Sequence, residues 1–165
     1  MTPTFTTLPF IRVDDRLIHG QVVTAWVRAL RSKTIWVVSD RAAAEPIEVT
    51  LLKNSISSQL SLEIFRVAEA LATWRESPVD KLFVLTEGLK EIIDLFDGGF
   101  PIGEINIGGI RYRPGYVGLN RAVYIGSQEA ALLSDMQSRH LPAFIRIMPN
   151  DGKIDVYERT KRKWG

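Results

Sequence analysis

Short apolar runs rich in β-branched and aromatic residues alternate along this chain with longer stretches whose apolar positions recur every three or four residues. Phe10-Ile11-Arg12-Val13 reads as a first strand, followed by a polar loop and a helix near Gln21 to Leu30. Thr34 to Val38 is a second strand. Ser39-Asp40 offers a cap for one helix running through Ala42 to about Ser55. Leu62 to Phe65 is a third strand and Val67 to Arg75 a third helix. Lys81 to Thr86 is a fourth strand, and Gly88 to Phe96 a fourth helix ended by Gly98-Gly99. Ile102 to Ile107 makes a fifth strand, which leaves through a glycine-rich, basic loop from Gly108 to Gly115 whose Gly108-Gly109 pair predicts a tight turn. Ala122 to Ile125 follows as a short strand, Ser127 caps a helix through Ser138, Phe144 to Ile147 is a late strand, and Ile154 to Tyr157 adds an edge.

This rhythm predicts the α/β class: a single-domain three-layer sandwich, with a mostly parallel central sheet and helices on both faces. No linker, repeat or low-complexity segment divides the chain, so residues 1–165 are expected to form one domain. In such sheets functional groups lie outside the carboxyl ends of the strands. The loops of interest therefore begin at Asp14, Ser39, Thr86 and Gly108.

Composition narrows the chemistry. An apolar fraction of 45% and a charged fraction of 24% belong to an ordinary globular domain. No apolar run approaches the roughly 20 residues a membrane-crossing helix needs. The start, MTPTFTTLPF, lacks a basic region and a long apolar segment, which predicts neither export nor membrane insertion. Cysteine is absent, which removes disulfides, thiolate chemistry and most structural zinc sites and suits a cytoplasmic protein. With two histidines no metal cluster is visible, and neither a metal nor another cofactor is expected. The net charge of +2 and pI near 9.0 come from the tail at 159–165. Arg159, Lys161, Arg162 and Lys163 are four of 21 basic residues, and the other 17 face 19 acidic ones. That tail reads as a solvated terminus, so no nucleic-acid partner is expected. No Walker or Gly-x-Gly-x-x-Gly pattern follows a strand.

The segment Arg12-Val13-Asp14-Asp15-Arg16-Leu17-Ile18-His19-Gly20-Gln21 places two carboxylates, arginines and a histidine between a strand end and a helix start. A neutral imidazole is nucleophilic near pH 7, and a phosphoryl group on it stays reactive enough to be passed on. A helix N-terminus aims free N–H groups at an anion, and Gly20 lets backbone come close there. Arg16 offers a planar fork to two phosphoryl oxygens. Like charges forbid both aspartates from facing the phosphoryl group. One of Asp14 and Asp15 is expected to orient His19 or Arg16 and the other to brace the loop, with the assignment open. His140 ends a helix, where an imidazolium meets the helix dipole. Trp26 and Trp36 are expected in the core, and Trp74 could be core or surface.

The run from Arg12 to Val22, with Trp26 beyond it, resembles the signature of the mannose/fructose/sorbose-type phosphotransferase system enzyme IIB component. Ile35 to Asp40, Leu62 to Ala70 and Ile105-Asn106-Ile107-Gly108-Gly109-Ile110 resemble further parts of that family, so the similarity covers about residues 9 to 150. It implies that His19 accepts a phosphoryl group on Nδ1 from a IIA phosphohistidine. It further implies that His19 passes the group to a sugar bound by the membrane components IIC and IID, making the protein a protein-phosphohistidine–sugar phosphotransferase. Arg16 then stabilises the phosphoryl group in flight. Arg12, Gly20, Gln21, Gly108 and Gly109 are the expected phosphoryl-binding surroundings. The stretch Ser55 to Leu60, the Arg111-to-Gly115 loop, the Thr-rich lead and the basic tail depart from the family pattern. Two rival readings remain: a regulatory IIB-like interaction protein uncoupled from transport, and a nucleic-acid-binding module built on the tail.

Overall fold

β1 (Phe10–Asp14) forms the centre of the sheet because its residues are apolar on both faces or bonded internally, and all but Phe10 are buried. A computed structural model describes residues 7–165 apart from the side chain of Gln21; the Thr-rich lead, residues 1–6, lies outside the described residues. The chain continues through α1 (Gly20–Leu30), β2 (Thr34–Val38), α2 (Asp40–Ala43), α3 (Pro46–Asn54), β3 (Ser61–Phe65), α4 (Val67–Glu76), β4 (Phe83–Thr86) and α5 (Leu89–Asp97). It then forms β5 (Ile105–Gly109), β6 (Val117–Gly118), β7 (Tyr124–Ile125), α6 (Ser127–Ser138), β8 (Ala143–Ile145), β9 (Ile154–Asp155) and α7 (Val156–Lys163).

The main sheet has the order β3-β2-β4-β1-β5-β8-β9, parallel throughout except for β9. Alternation sends Ile35, Val37, Phe83 and Leu85 to one face, where Trp26 of α1, Ala42 of α2 and Leu52 of α3 cover them. Ile11, Val13, Trp36, Val38 and Val84 face the other way, beneath α4, α5, α6 and Val156 of α7. Strands buried on both faces read as near-continuous apolar runs, which is why the pattern exposed them. Trp74 belongs to the core: it packs with Trp36 and Phe100, ring centroids 6.3 and 5.0 Å apart.

Several expected elements differ. The helix expected from Ala42 to Ser55 is two, because Pro46 lacks an N–H and clashes with a preceding helical turn, so it starts α3 instead. The fifth strand begins at Ile105, where its N–H first reaches the Pro142 carbonyl, and it runs through Gly108 and Gly109. Those glycines are strand, not turn. Of the expected strand at Ala122, only Tyr124–Ile125 form one, and they pair with β6 in a separate ribbon. α6 is capped by Gly126, whose N–H donates to the Glu129 carboxylate; Ser127 is its first helical residue. The basic terminus is not a free tail. Asp155 caps α7 by accepting from the N–H groups of Tyr157 and Glu158, Val156 is fully buried, and Arg159 donates to the Leu119 carbonyl.

Candidate functional site

β1 and β4 are adjacent, but the chain leaves β1 toward β2 and leaves β4 toward β5, on opposite sides. That divergence opens a crevice at their carboxyl ends. A cleft of about 770 Å³ lies there, lined by Asp15, Arg16, Glu87, Gly88, Ile110 and Arg111 among others. One wall is locked by Ser39 donating to Glu87 at 2.5 Å and by Arg41, which bridges Glu87 and Glu48 at 2.7 Å.

The loop after β1 is anchored from below. Leu17 donates its N–H to the Asp14 carbonyl at 2.9 Å, and the side chains of Leu17 and Ile18 are buried against the cluster around Trp26. Leu17 does this at φ +58, a left-handed conformation that costs a leucine on the order of 1–3 kcal/mol. Burial of its side chain offsets that cost, and the strain leaves Arg16 and His19 facing outward. His19 is the N-cap of α1 and supplies no side-chain cap. Among the described residues no side chain caps the first N–H groups of the helix, which leaves them for another acceptor. Gly20 has φ +43 and open space where a Cβ would sit, so its conformation, not crowding, calls for glycine.

Asp14 is the hub. Its side chain is 1% exposed and accepts from His19 Nε2 at 3.0 Å, from Arg16 Nε at 3.1 Å and Nη2 at 3.2 Å, and from Arg12 Nη2 at 3.3 Å. The Arg16 backbone N–H adds a further bond at 3.1 Å. Burial by itself would push this carboxyl up, but the bonds from Arg16 and His19 and the charge of Arg12 outweigh it and hold it below the usual carboxylate range. An ionised carboxylate only accepts, so His19 Nε2 must carry the hydrogen, and the lone pair of the neutral ring lies on Nδ1. Asp14 thus takes the orienting position. Asp15 braces the loop: its carboxylate accepts from the N–H of Arg111 at 2.8 Å and from its Nε at 3.2 Å.

Arg12, expected among the phosphoryl-binding surroundings, lies instead in the interior. It is buried under Asp14, bonded through Nη1 to Asn106 Oδ1 at 2.5 Å and to the Arg146 carbonyl at 2.9 Å, with its guanidinium 5.3 Å from the Trp26 ring centroid. Burial pushes Arg12 down to about 10, against the pull of Asp14, so it stays a cation near neutrality. Gly108 and Gly109 likewise do not form an anion-binding loop. A Cβ on Gly108 would stand 2.0 Å from the Arg12 Cζ, and one on Gly109 would stand 3.0 Å from Asp14 Oδ1. The glycines make room for the charged hub. The side chain of Gln21 lies outside what is described. His140 sits just beyond α6 at φ +58, exposed.

Sequence reading placed Asn106 only within the family-like stretch and gave it no role in the site, and it missed the Arg146 carbonyl and Trp26 donating from Nε1 to the Ile147 carbonyl at 2.9 Å. One signal was available: Asn106 is a lone amide between two isoleucines in a buried strand. Among the described residues no group of three or more His, Cys, Asp or Glu could hold a metal, and no helix is long and apolar enough to cross a membrane.

The chain matches the family model of the phosphotransferase system sorbose subfamily IIB component over residues 8–163, which takes in α7. The sorbose-specific EIIB component of Lacticaseibacillus casei is 30% identical over 156 residues, 93% of this chain and 95% of that protein. The mannose-specific EIIAB component of Escherichia coli K12 is 28% identical over 149 residues; the match takes 89% of this chain but only 46% of that longer protein. The IIBSor domain of the sorbose permease from Klebsiella pneumoniae shares the fold with a TM-score of 0.87 at 23% identity, covering 94% of this chain and 98% of that one.

Proposed function

This chain belongs to the sorbose subfamily of phosphotransferase-system IIB components, with the transferase role of that sugar phosphotransferase family, and from that premise we propose that it carries a phosphoryl group on Nδ1 of His19. The observation that supports this most is the bond from His19 Nε2 to buried Asp14, which leaves Nδ1 as the nucleophilic nitrogen at a helix start.

The donor is a IIA phosphohistidine. Nδ1 attacks its phosphorus in line, the donor's N–P bond breaks as the new one forms, and the proton on His19 Nε2 stays against Asp14 throughout. Arg16 is 46% exposed, and so is the cation with room to swing. It leaves Asp14 and offers its fork to the phosphoryl oxygens, while the uncapped N–H groups of α1 take the remaining charge. Such transfers depend on positioning and electrostatic stabilisation, with little other chemistry from the protein. In the second step a hydroxyl of a sugar held by IIC and IID attacks phosphorus, the N–P bond breaks, and the hydroxyl proton is released. We place this exchange in the cytoplasm, where a carrier meets both a IIA partner and the inner side of a permease.

The test is phosphoryl labelling with the general phosphotransferase components and a IIA partner. Label on an acid-labile, base-stable site is expected in the parent protein and in His140→Ala, and none in His19→Ala. Label on His140, or none in the parent, would refute the carrier reading. Adding membranes that hold IIC and IID and assaying sugar phosphate separates a transport carrier from a purely regulatory phosphoprotein.

A further inference from the structure

Three donors converge on one oxygen of Asp14. His19 Nε2, Arg16 Nη2 and Arg12 Nη2 lie 3.0, 3.2 and 3.3 Å from Oδ2. A carboxylate oxygen has about two lone-pair sites, so these donors compete. Arg12 is the most distant of the three, and the reason lies on its other side. Asn106, 2% exposed, accepts from Arg12 Nη1 through Oδ1 at 2.5 Å. The Arg146 carbonyl accepts the same Nη1 at 2.9 Å, and Asn106 Nδ2 donates to that carbonyl at 3.1 Å. Asn106 therefore ties Arg12 and its second acceptor into one unit, beneath the Trp26 ring and against Gly108.

We propose that Asn106 is a positioning residue for His19: by restraining Arg12 it keeps Asp14 Oδ2 open to His19 Nε2, and so holds the lone pair on Nδ1. A buried cation that loses an acceptor moves toward the nearest anion, and the weak screening of the interior makes that pull strong. The nearest anion is Asp14. Arg12 would then close on Oδ2 and displace the imidazole, which would turn and exchange its proton with solvent.

The inference rests on the phosphocarrier reading of His19, but its first readout does not. In nitrogen-resolved NMR of the full chain without phosphoryl donor, His19 is expected to show a downfield, protected Nε2–H resonance. Asn106→Leu, of similar volume, removes both polar atoms; the resonance should be lost and the tautomer mixture should relax toward that of free imidazole. Asn106→Asp works the opposite way. Its carboxylate draws Arg12 off Asp14, so the resonance should persist and move further downfield. A common packing defect would shift both variants alike. Phosphoryl acceptance from a IIA partner should fall about tenfold in Asn106→Leu, since the nucleophile is no longer held in line. The resonance unchanged in Asn106→Leu, or unmoved or lost in Asn106→Asp, would overturn the proposal, and the second variant decides if the first does not fold. If the parent protein takes no label on His19, the carrier reading fails while the NMR comparison still stands. If it takes label but the variants leave the resonance as it was, only the role of Asn106 fails.

Discussion

At the scale of single residues, the site separates buried charges from exposed ones. Arg12 and Asp14 are buried and bonded to each other, and Arg12 is further held by Asn106 of β5 and by the Arg146 carbonyl just after β8, whereas Arg16 is half-exposed and bonds, among the described residues, to Asp14. Arg16→Lys keeps the charge but loses the planar fork. Transfer should slow by about tenfold, equivalent to ~1.4 kcal/mol in the barrier, with unfolding midpoints nearly unchanged; unimpaired transfer would show that the fork is not used. Asp14 behaves differently. Its carboxyl is held below the ordinary value near 3.9. The stability it contributes is therefore complete above about pH 4 and is lost as pH falls through its lower folded value. Asp14→Asn strands Arg12 as a buried, unpaired cation and should cost ~3–5 kcal/mol at neutral pH. Urea unfolding at pH 7 and pH 3 should show the gap between parent and variant narrowing in acid. A constant gap would mean that Asp14 titrates equally in the folded and unfolded chain.

At the scale of elements, β5 supplies the floor of the site. Gly108 sits where a strand would normally carry a side chain, and the space above it is filled by the Arg12 guanidinium. Gly108→Ala should cost ~1–3 kcal/mol or more through overpacking and should disorder the hub. Gly152→Ala, with nothing within 4 Å of the added Cβ, should be nearly neutral. Thermal unfolding of the two variants checks the contrast. The sequence announced β5 as a strand, since Ile105 and Ile107 alternate with Asn106, but it could not say what the glycines were for. A Gly-Gly pair reads equally as a turn, an anion cradle or a vacancy for a neighbour's side chain. The distinction depends on Arg12, which is 96 residues distant in sequence. Pro46 is the opposite case: its missing N–H acts on its own neighbours, so the break between α2 and α3 was available from local chemistry alone.

At the scale of the whole molecule, the C-terminal helix α7 bears on stability. α7 carries four of the 21 basic residues, yet Val156 is buried, Tyr157 donates to the Leu141 carbonyl at 2.5 Å, and Arg159 donates to the Leu119 carbonyl at 2.8 Å. Removing residues 159–165 should lower stability by ~1–2 kcal/mol, measured by denaturant unfolding, while leaving phosphoryl acceptance intact. No loss of stability would return the segment to a solvated tail. Charge composition could not separate these outcomes, because a basic helix packed along one side and a basic free terminus contain the same residues.

By itself the sequence determined the alternation of strands and helices, and with it a parallel sheet covered on both faces. It also placed His19 and Arg16 on the loop where such a sheet opens. Both follow from short-range physics: periodicity, propensity and the orphan donors of a helix start. The tertiary structure decided the roles within that loop. Asp14 rather than Asp15 took the histidine, Arg12 went beneath the site instead of beside it, and Asn106 joined the network. Burial made those choices, because a charge removed from water must be paired. The partners that pairing selected lie on β5 and in the loop after β8, beyond the reach of any local pattern.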